Sequence, residues 1–185
     1  MRTHAPGQSA LLMLDVAAVL SAENIAYAVI GAMAAAVHGS VRASLDADAI
    51  VHLRVSEAKA IASKFVAAGF EAELRIGDAD DPIAALLAIN DEFGNRVDLL
   101  MGLRGMDPAA FARAQDVDFA GATLRIVSRE DFIAMKVFAG GPQDIADAEM
   151  ALALDHESLD AKLLRRLADR FGKDAALALD ALLRR

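Results

Sequence analysis

The stretch from Tyr27 to Val51, Y-A-V-I-G-A-M-A-A-A-V-H-G-S-V-R-A-S-L-D-A-D-A-I-V, decides how the chain is read. An apolar run ends at Gly31, a segment of small residues follows, Arg42 stands alone, and Asp46 and Asp48 alternate within a second apolar run. This order predicts strand, helix, loop, strand, with strands over 26–30 and 46–53 and a short helix over 32–37 that stops at Gly39 and Ser40. Gly31 then opens a helix whose free N–H groups can face an anion. Asp46 and Asp48, two apart on a strand, project from one face and can hold a divalent cation.

A phosphate seat beside a metal seat is the arrangement that nucleotidyl transfer requires. Asp98 adds to it, because V-D-L-L places a third carboxylate inside an apolar run that reads as a strand. If that strand neighbours the one carrying Asp46 and Asp48, the three carboxylates converge on Mg²⁺, and Asp98 can also draw the proton from an attacking hydroxyl. The bland alternative leaves the aspartates at strand ends in water. Arg42 can neutralise phosphate or simply pair with Asp46 across the loop. His38 reads as a helix-end residue or a satisfied core imidazole, since no Ser–His–Asp spacing accompanies it.

The flanking sequence supplies the frame. Residues 1–8 read as a loose terminus, and Ser9 reads as the cap of a helix that ends near Asn24. A helix from Ser56 stops at Gly69, a half-exposed strand covers 70–76, and G-D-A-D-D-P over 77–82 is a loop. The runs 83–89 and 96–101 flank E-F-G-N as a hairpin would, although the alanine-rich first arm also fits a short helix. Asp107 and Pro108 start a short helix through Ala114, and 116–127 reads as a β pair turned at Gly121. Ser128 caps the next helix, with Glu130 and Asp131 in its first turn and Lys136 near its end. Pro142 opens a helix to about Leu154, and two more cover 159–171 and 173–183. The fold class expected is α/β (α+β), a mixed sheet flanked by helices, with a core over 1–127 and a helical C-terminal extension over 128–185.

Composition narrows the function. The 185 residues suit one domain, and with one Tyr and eight Phe the core is aliphatic. There is no cysteine, which excludes disulfides, zinc ribbons and thiol nucleophiles and suits a reducing cytoplasm. No apolar run reaches a membrane span, and no secretory signal is visible, so a soluble, cytoplasmic protein is expected. A net charge of −8 argues against a general nucleic-acid coat. From Ser158 onward, however, Lys162, Arg165, Arg166, Arg170, Lys173, Arg184 and Arg185 outnumber Asp160, Asp169, Asp174 and Asp180. That end suits either an RNA or acidic partner, or a solvated helix face with internal ion pairs.

The motifs in order resemble the nucleotidyltransferase superfold, and specifically its minimal bacterial branch related to AbiEii-type toxins. The resemblance rests on Gly31-Ala32, H-G-S-V-R over 38–42, D-A-D over 46–48, V-D-L-L over 97–100, I-V-S-R-E-D-F-I-A-M-K over 126–136, and the Asp144 and Asp147 pair. It covers about residues 25–150. It implies a nucleotidyltransferase-like mixed sheet and Mg²⁺- or Mn²⁺-dependent transfer of a nucleoside monophosphate from a nucleoside triphosphate (NTP) to a hydroxyl acceptor. The acceptor is an RNA end, a protein or a small molecule, and an antitoxin protein is the implied partner. By the same resemblance Gly31, Ala32 and Arg42 meet the phosphates, Asp46, Asp48 and Asp98 hold the metal and carry catalysis, and Lys136 reaches a phosphate with Asp144 beside it. Ala32 stands where the family has glycine or serine, so a binding module that keeps the fold without catalysis is the alternative. The oligomeric state is not legible.

Overall fold

Val97, Leu99 and Met101 alternate with Asp98 and Leu100 along one strand, and the first three are wholly buried. This two-residue period sets one face into the core and leaves the other to a site. The computed structural model describes residues 1–154 and 159–184. Its seven strands are β1 (Tyr27–Val29), β2 (Asp46–Val51), β3 (Glu71–Ile76), β4 (Ile83–Asn90), β5 (Arg96–Leu103), β6 (Gln115–Phe119) and β7 (Ala122–Ile126). They form one mixed sheet in the order β3-β4-β5-β2-β1-β7-β6. β2 and β5 run parallel at its centre, and β1 pairs antiparallel with β2 and parallel with β7.

The alanine-rich run 83–89 is strand, not helix. β3 and β5 flank it with antiparallel ladders on both sides, and Leu87, Ala88 and Ile89 are fully buried between them. Cross-strand packing here overrides the helix preference of alanine.

Helix α1 (Ser9–Ala22) packs on β2, β5 and β7, and α3 (Ala58–Ala67) packs on β3, β4 and α1. A short α2 (Gly31–Val37) links β1 to β2, and α4 (Ala110–Arg113) precedes β6. Helices α5 (Arg129–Ala139), α6 (Pro142–Ala153), α7 (Ala161–Phe171) and α8 (Lys173–Leu183) close the chain, with α5 touching each of the other three. The helix signals around α5 are those of the sequence: Ser128 caps it, Gly140 ends it with φ +69, and Pro142 begins α6. Among the described residues no helix is long and apolar enough to cross a membrane.

Two expectations fail at the start of the chain. Ser9 does not cap α1: Gln8 occupies that position, and Ser9 Oγ donates to Leu45 O (2.6 Å) and accepts from Arg96 N (3.1 Å). The hydroxyl therefore joins the beginnings of β2 and β5. Nor are residues 1–8 loose. Arg2 pairs with Asp15 at 2.8 Å, while Asn95 accepts from Gln8 N (2.6 Å) and donates to Ala5 O (2.9 Å). The 3₁₀ turn Val55–Glu57 precedes α3, and Glu57 rather than Ser56 closes it through Arg54 N (3.1 Å).

Ser128 accepts from Asp131 N (3.2 Å) and donates to its carboxylate (2.7 Å), which also receives a fork from Arg113. Ser128→Ala should lower the unfolding free energy by about 1–2 kcal/mol in urea titrations, the usual cost of a lost N-cap in a buried setting.

Candidate active site

β2 and β5 are paired so that Asp48 lies beside Asp98 and Asp46 beside Arg96. In a parallel pair such neighbours share a face, so Asp46, Asp48 and Asp98 stand on the same side of the sheet. Burial, then the charges of Asp46 and Asp98, push the Asp48 carboxyl up to about 6, against the weaker pull of Lys136 and Arg42. Negative charge at this point is thus under-compensated. The two outer carboxylates have partners: Ser44 Oγ donates to Asp46 (2.9 Å), and Arg96 forks Asp98 at 2.7 and 3.1 Å.

Carboxylate oxygens on a shared face suit a hard divalent ion, and the raised Asp48 is the group such an ion would relieve. Asp46 and Asp48 fit that role directly, with Asp98 next to them once the Arg96 fork opens. Among the described residues no three acidic or imidazole side chains are gathered tightly enough to cage a metal as they stand.

Gly31 makes the approach possible. It has φ +60, and a methyl group there would overlap Asp48 Oδ2. The missing side chain thus makes room for the Asp48 carboxylate at the start of α2. Ala32 follows with its side chain mostly buried, and Ile30 offers no side-chain cap to the amides of this first turn.

Facing the carboxylates are two cations. The Lys136 side chain is 11% exposed, its Nζ donates to Asp144 (2.7 Å) and lies 2.9 Å from Asp147 Oδ2. Arg42 does not pair with Asp46; its Nε lies 3.5 Å from the same Asp147 oxygen. Asp147 is fully buried and also accepts from Ser40 Oγ (2.7 Å) and Gln143 Nε2 (3.0 Å). Burial would raise its carboxyl, but the bonds from Ser40 and Gln143 and the nearby Lys136 amine outweigh this and hold it below the usual carboxylate range. Sequence reasoning gave Asp147 too little weight. The available signal was its i,i+3 spacing from Asp144, which places both on one face of α6.

A cavity of about 270 Å³ opens at Gly31, Asp48, Lys136 and Asp144 and runs on between Leu100, Leu103, Met135 and Phe138. A second, of about 440 Å³, reaches Arg42, Ser44 and Asp46 from a wall of Met33, Val37, Val117 and Phe119. Asp48 therefore borders one cleft and Asp46 the other. His38 takes no part: it is buried at the end of α2 with Nε2 2.9 Å from Val127 O, and burial lowers its pKa. In the basic C-terminal segment, Arg165 pairs with Asp180 (2.6 Å) and Arg170 donates to the carbonyls of Gly105 and Met106. Those two cations serve the fold, while Ser158 and Arg185 lie outside the described residues.

No family model matches the chain, and no curated sequence is significantly similar to it. Solved structures are. An antigenic nucleotidyltransferase-like protein from Paracoccidioides brasiliensis is 16% identical, with 97% of this chain and 94% of that one covered and a TM-score of 0.55. The antibiotic-resistance factor ANT(2″)-Ia is 16% identical over 94% of this chain and 95% of its own, with a TM-score of 0.60. The lincosamide antibiotic adenylyltransferase LnuA is 13% identical over 83% of this chain and 100% of its own, with a TM-score of 0.50. The chain has the nucleotidyltransferase fold.

Asp48 binds its proton more readily folded than unfolded, so between about pH 4 and 6 its ionisation erodes stability as pH rises. In metal-free buffer Asp48→Asn should be more stable than the parent at pH 7 by about 1–2 kcal/mol after allowance for solvent screening. Urea titrations should show that gap closing towards pH 4.

Proposed function

We propose that this protein is a nucleotidyltransferase that moves a nucleoside monophosphate from an NTP to a hydroxyl acceptor. The observation that carries the reading is the placement of Asp48 beside Asp98 on adjacent parallel strands, with Lys136 and Arg42 near enough to act on Asp48. Carboxylates opposite cations match the two halves of a metal–triphosphate complex.

Asp46 and Asp48, joined by Asp98, would hold Mg²⁺ or Mn²⁺, which when bound neutralises phosphate charge and steadies the leaving pyrophosphate. Lys136 and Arg42 bind phosphate oxygens, and Asp144 keeps the lysine amine turned towards the cleft. The amides at Gly31 and Ala32 supply further donors. The acceptor oxygen forms a bond to the α-phosphorus as the bridging P–O bond breaks, and its proton passes to Asp98. For that step Asp98 must exchange the Arg96 fork for the acceptor hydroxyl.

ANT(2″)-Ia is seen with adenylyl-2″-tobramycin and LnuA with lincomycin, which favours a small hydroxylated acceptor here. An RNA end or a protein side chain fits the AbiEii-like motifs instead, and with them the role of a toxin held by an antitoxin in the cytoplasm. The internal use of Arg165 and Arg170 weakens the RNA case. A non-catalytic module is the second reading, favoured by Ala32 and by the Arg96 fork that occupies Asp98.

Titration of labelled NTPs with and without Mg²⁺ decides between them. The wild type should bind an NTP only with the metal and release pyrophosphate when an acceptor is present, and Asp46→Asn or Asp48→Asn should cut turnover by at least about a hundredfold. Absence of metal-dependent NTP binding in the wild type defeats the enzyme reading.

A further inference from the structure

At Asp147 the loop after α2 and the helices of the C-terminal third meet through charge beside the site. Its Oδ1 takes hydrogen bonds from Ser40 in that loop and Gln143 on α6. Its Oδ2 draws Lys136 Nζ from α5 to 2.9 Å and Arg42 Nε from the loop to 3.5 Å. Oδ2 and Arg42 Nε are both sealed from solvent, yet neither has an aligned hydrogen-bond partner. They are held by charge and position. A buried carboxylate between two cations stops them repelling one another and fixes their separation.

We infer that Asp147 is a positioning residue that sets Lys136 and Arg42 as a single phosphate clamp opposite Asp48, without itself touching substrate. Its complete burial keeps it from any ligand, so it acts only through the two cations. The ligand named here rests on the nucleotidyltransferase reading, whereas the coupling of the cations does not. Neither cation is placed by its own element alone: Arg42 sits in a loop, and Lys136 is one flexible side chain on α5. Polyphosphate affinity is then shared between the sheet's loop and the C-terminal helices.

The test pairs inorganic tripolyphosphate binding by calorimetry, in buffer containing Mg²⁺, with acetic anhydride labelling of Lys136 read by mass spectrometry, on folded protein checked by thermal melting. Asp147→Asn should weaken tripolyphosphate at least tenfold and raise labelling of Lys136 severalfold, with Lys59 and Lys64 unchanged. A second variant, Ser40→Ala with Gln143→Leu, keeps every charge and removes only the bonds that orient the carboxylate. It should weaken tripolyphosphate severalfold, and it carries the test if Asp147→Asn does not fold. Parental affinity and parental Lys136 labelling in the folded variants, whatever their melting temperature, overturn the clamp. Should the wild type bind no tripolyphosphate while Asp147→Asn still exposes Lys136 to the reagent, the nucleotidyltransferase reading fails and the positioning role stands.

Discussion

The repulsion among Asp46, Asp48 and Asp98 is the constraint on which the rest of the site depends. A sheet gains nothing in stability by placing Asp48 beside Asp98 in register, half-buried, with its carboxyl pushed up to about 6. Structural aspartates at strand ends relax into water or into full ion pairs. Among the described residues the outer two have direct partners, and the central carboxylate has the weaker pull of Lys136 and Arg42. Locally unfavourable charge of this kind, bordering two clefts, is what a site that binds a cation needs before the cation arrives.

Several features make sense only as supports for that arrangement. Ser9 bridges Leu45 and Arg96 and so fixes the register from which the carboxylates follow. Gly31 is bare because Asp48 fills the space a side chain would take. The buried Asp147 gathers Ser40, Arg42, Gln143 and Lys136 on the opposite side. Positive and negative halves of the site are thus built by different parts of the chain, the sheet providing one and the loop with α5 and α6 the other.

Much of the fold was legible because its signals are local. Gly69, Gly140, Pro142 and Ser128 punctuate helices by backbone chemistry that any sequence shows, and the alternation D-A-D places two carboxylates on one face without knowledge of the neighbours. Register was not legible. Whether Asp98 meets Asp48 depends on pairing between strands separated by a helix and a hairpin, and only the folded ladder settles it. The run 83–89 was ambiguous for the same reason, since its strand character comes from β3 and β5 rather than from its alanines. The burial of Lys136 against α6 was not legible because it depends on how that helix packs, and Ser9 was misjudged because a serine before an apolar run reads as a cap. Each miss lies where a long-range contact overrides a local rule.

A crystal of the protein soaked with Mn²⁺ and a non-hydrolysable NTP analogue, examined for anomalous scattering, tests the central claim most directly. A manganese peak within coordinating distance of Asp46 and Asp48, with phosphate density reaching Lys136 and Arg42, is the result expected. Ordered analogue bound elsewhere, or manganese that ignores these carboxylates at saturating concentration, would contradict it.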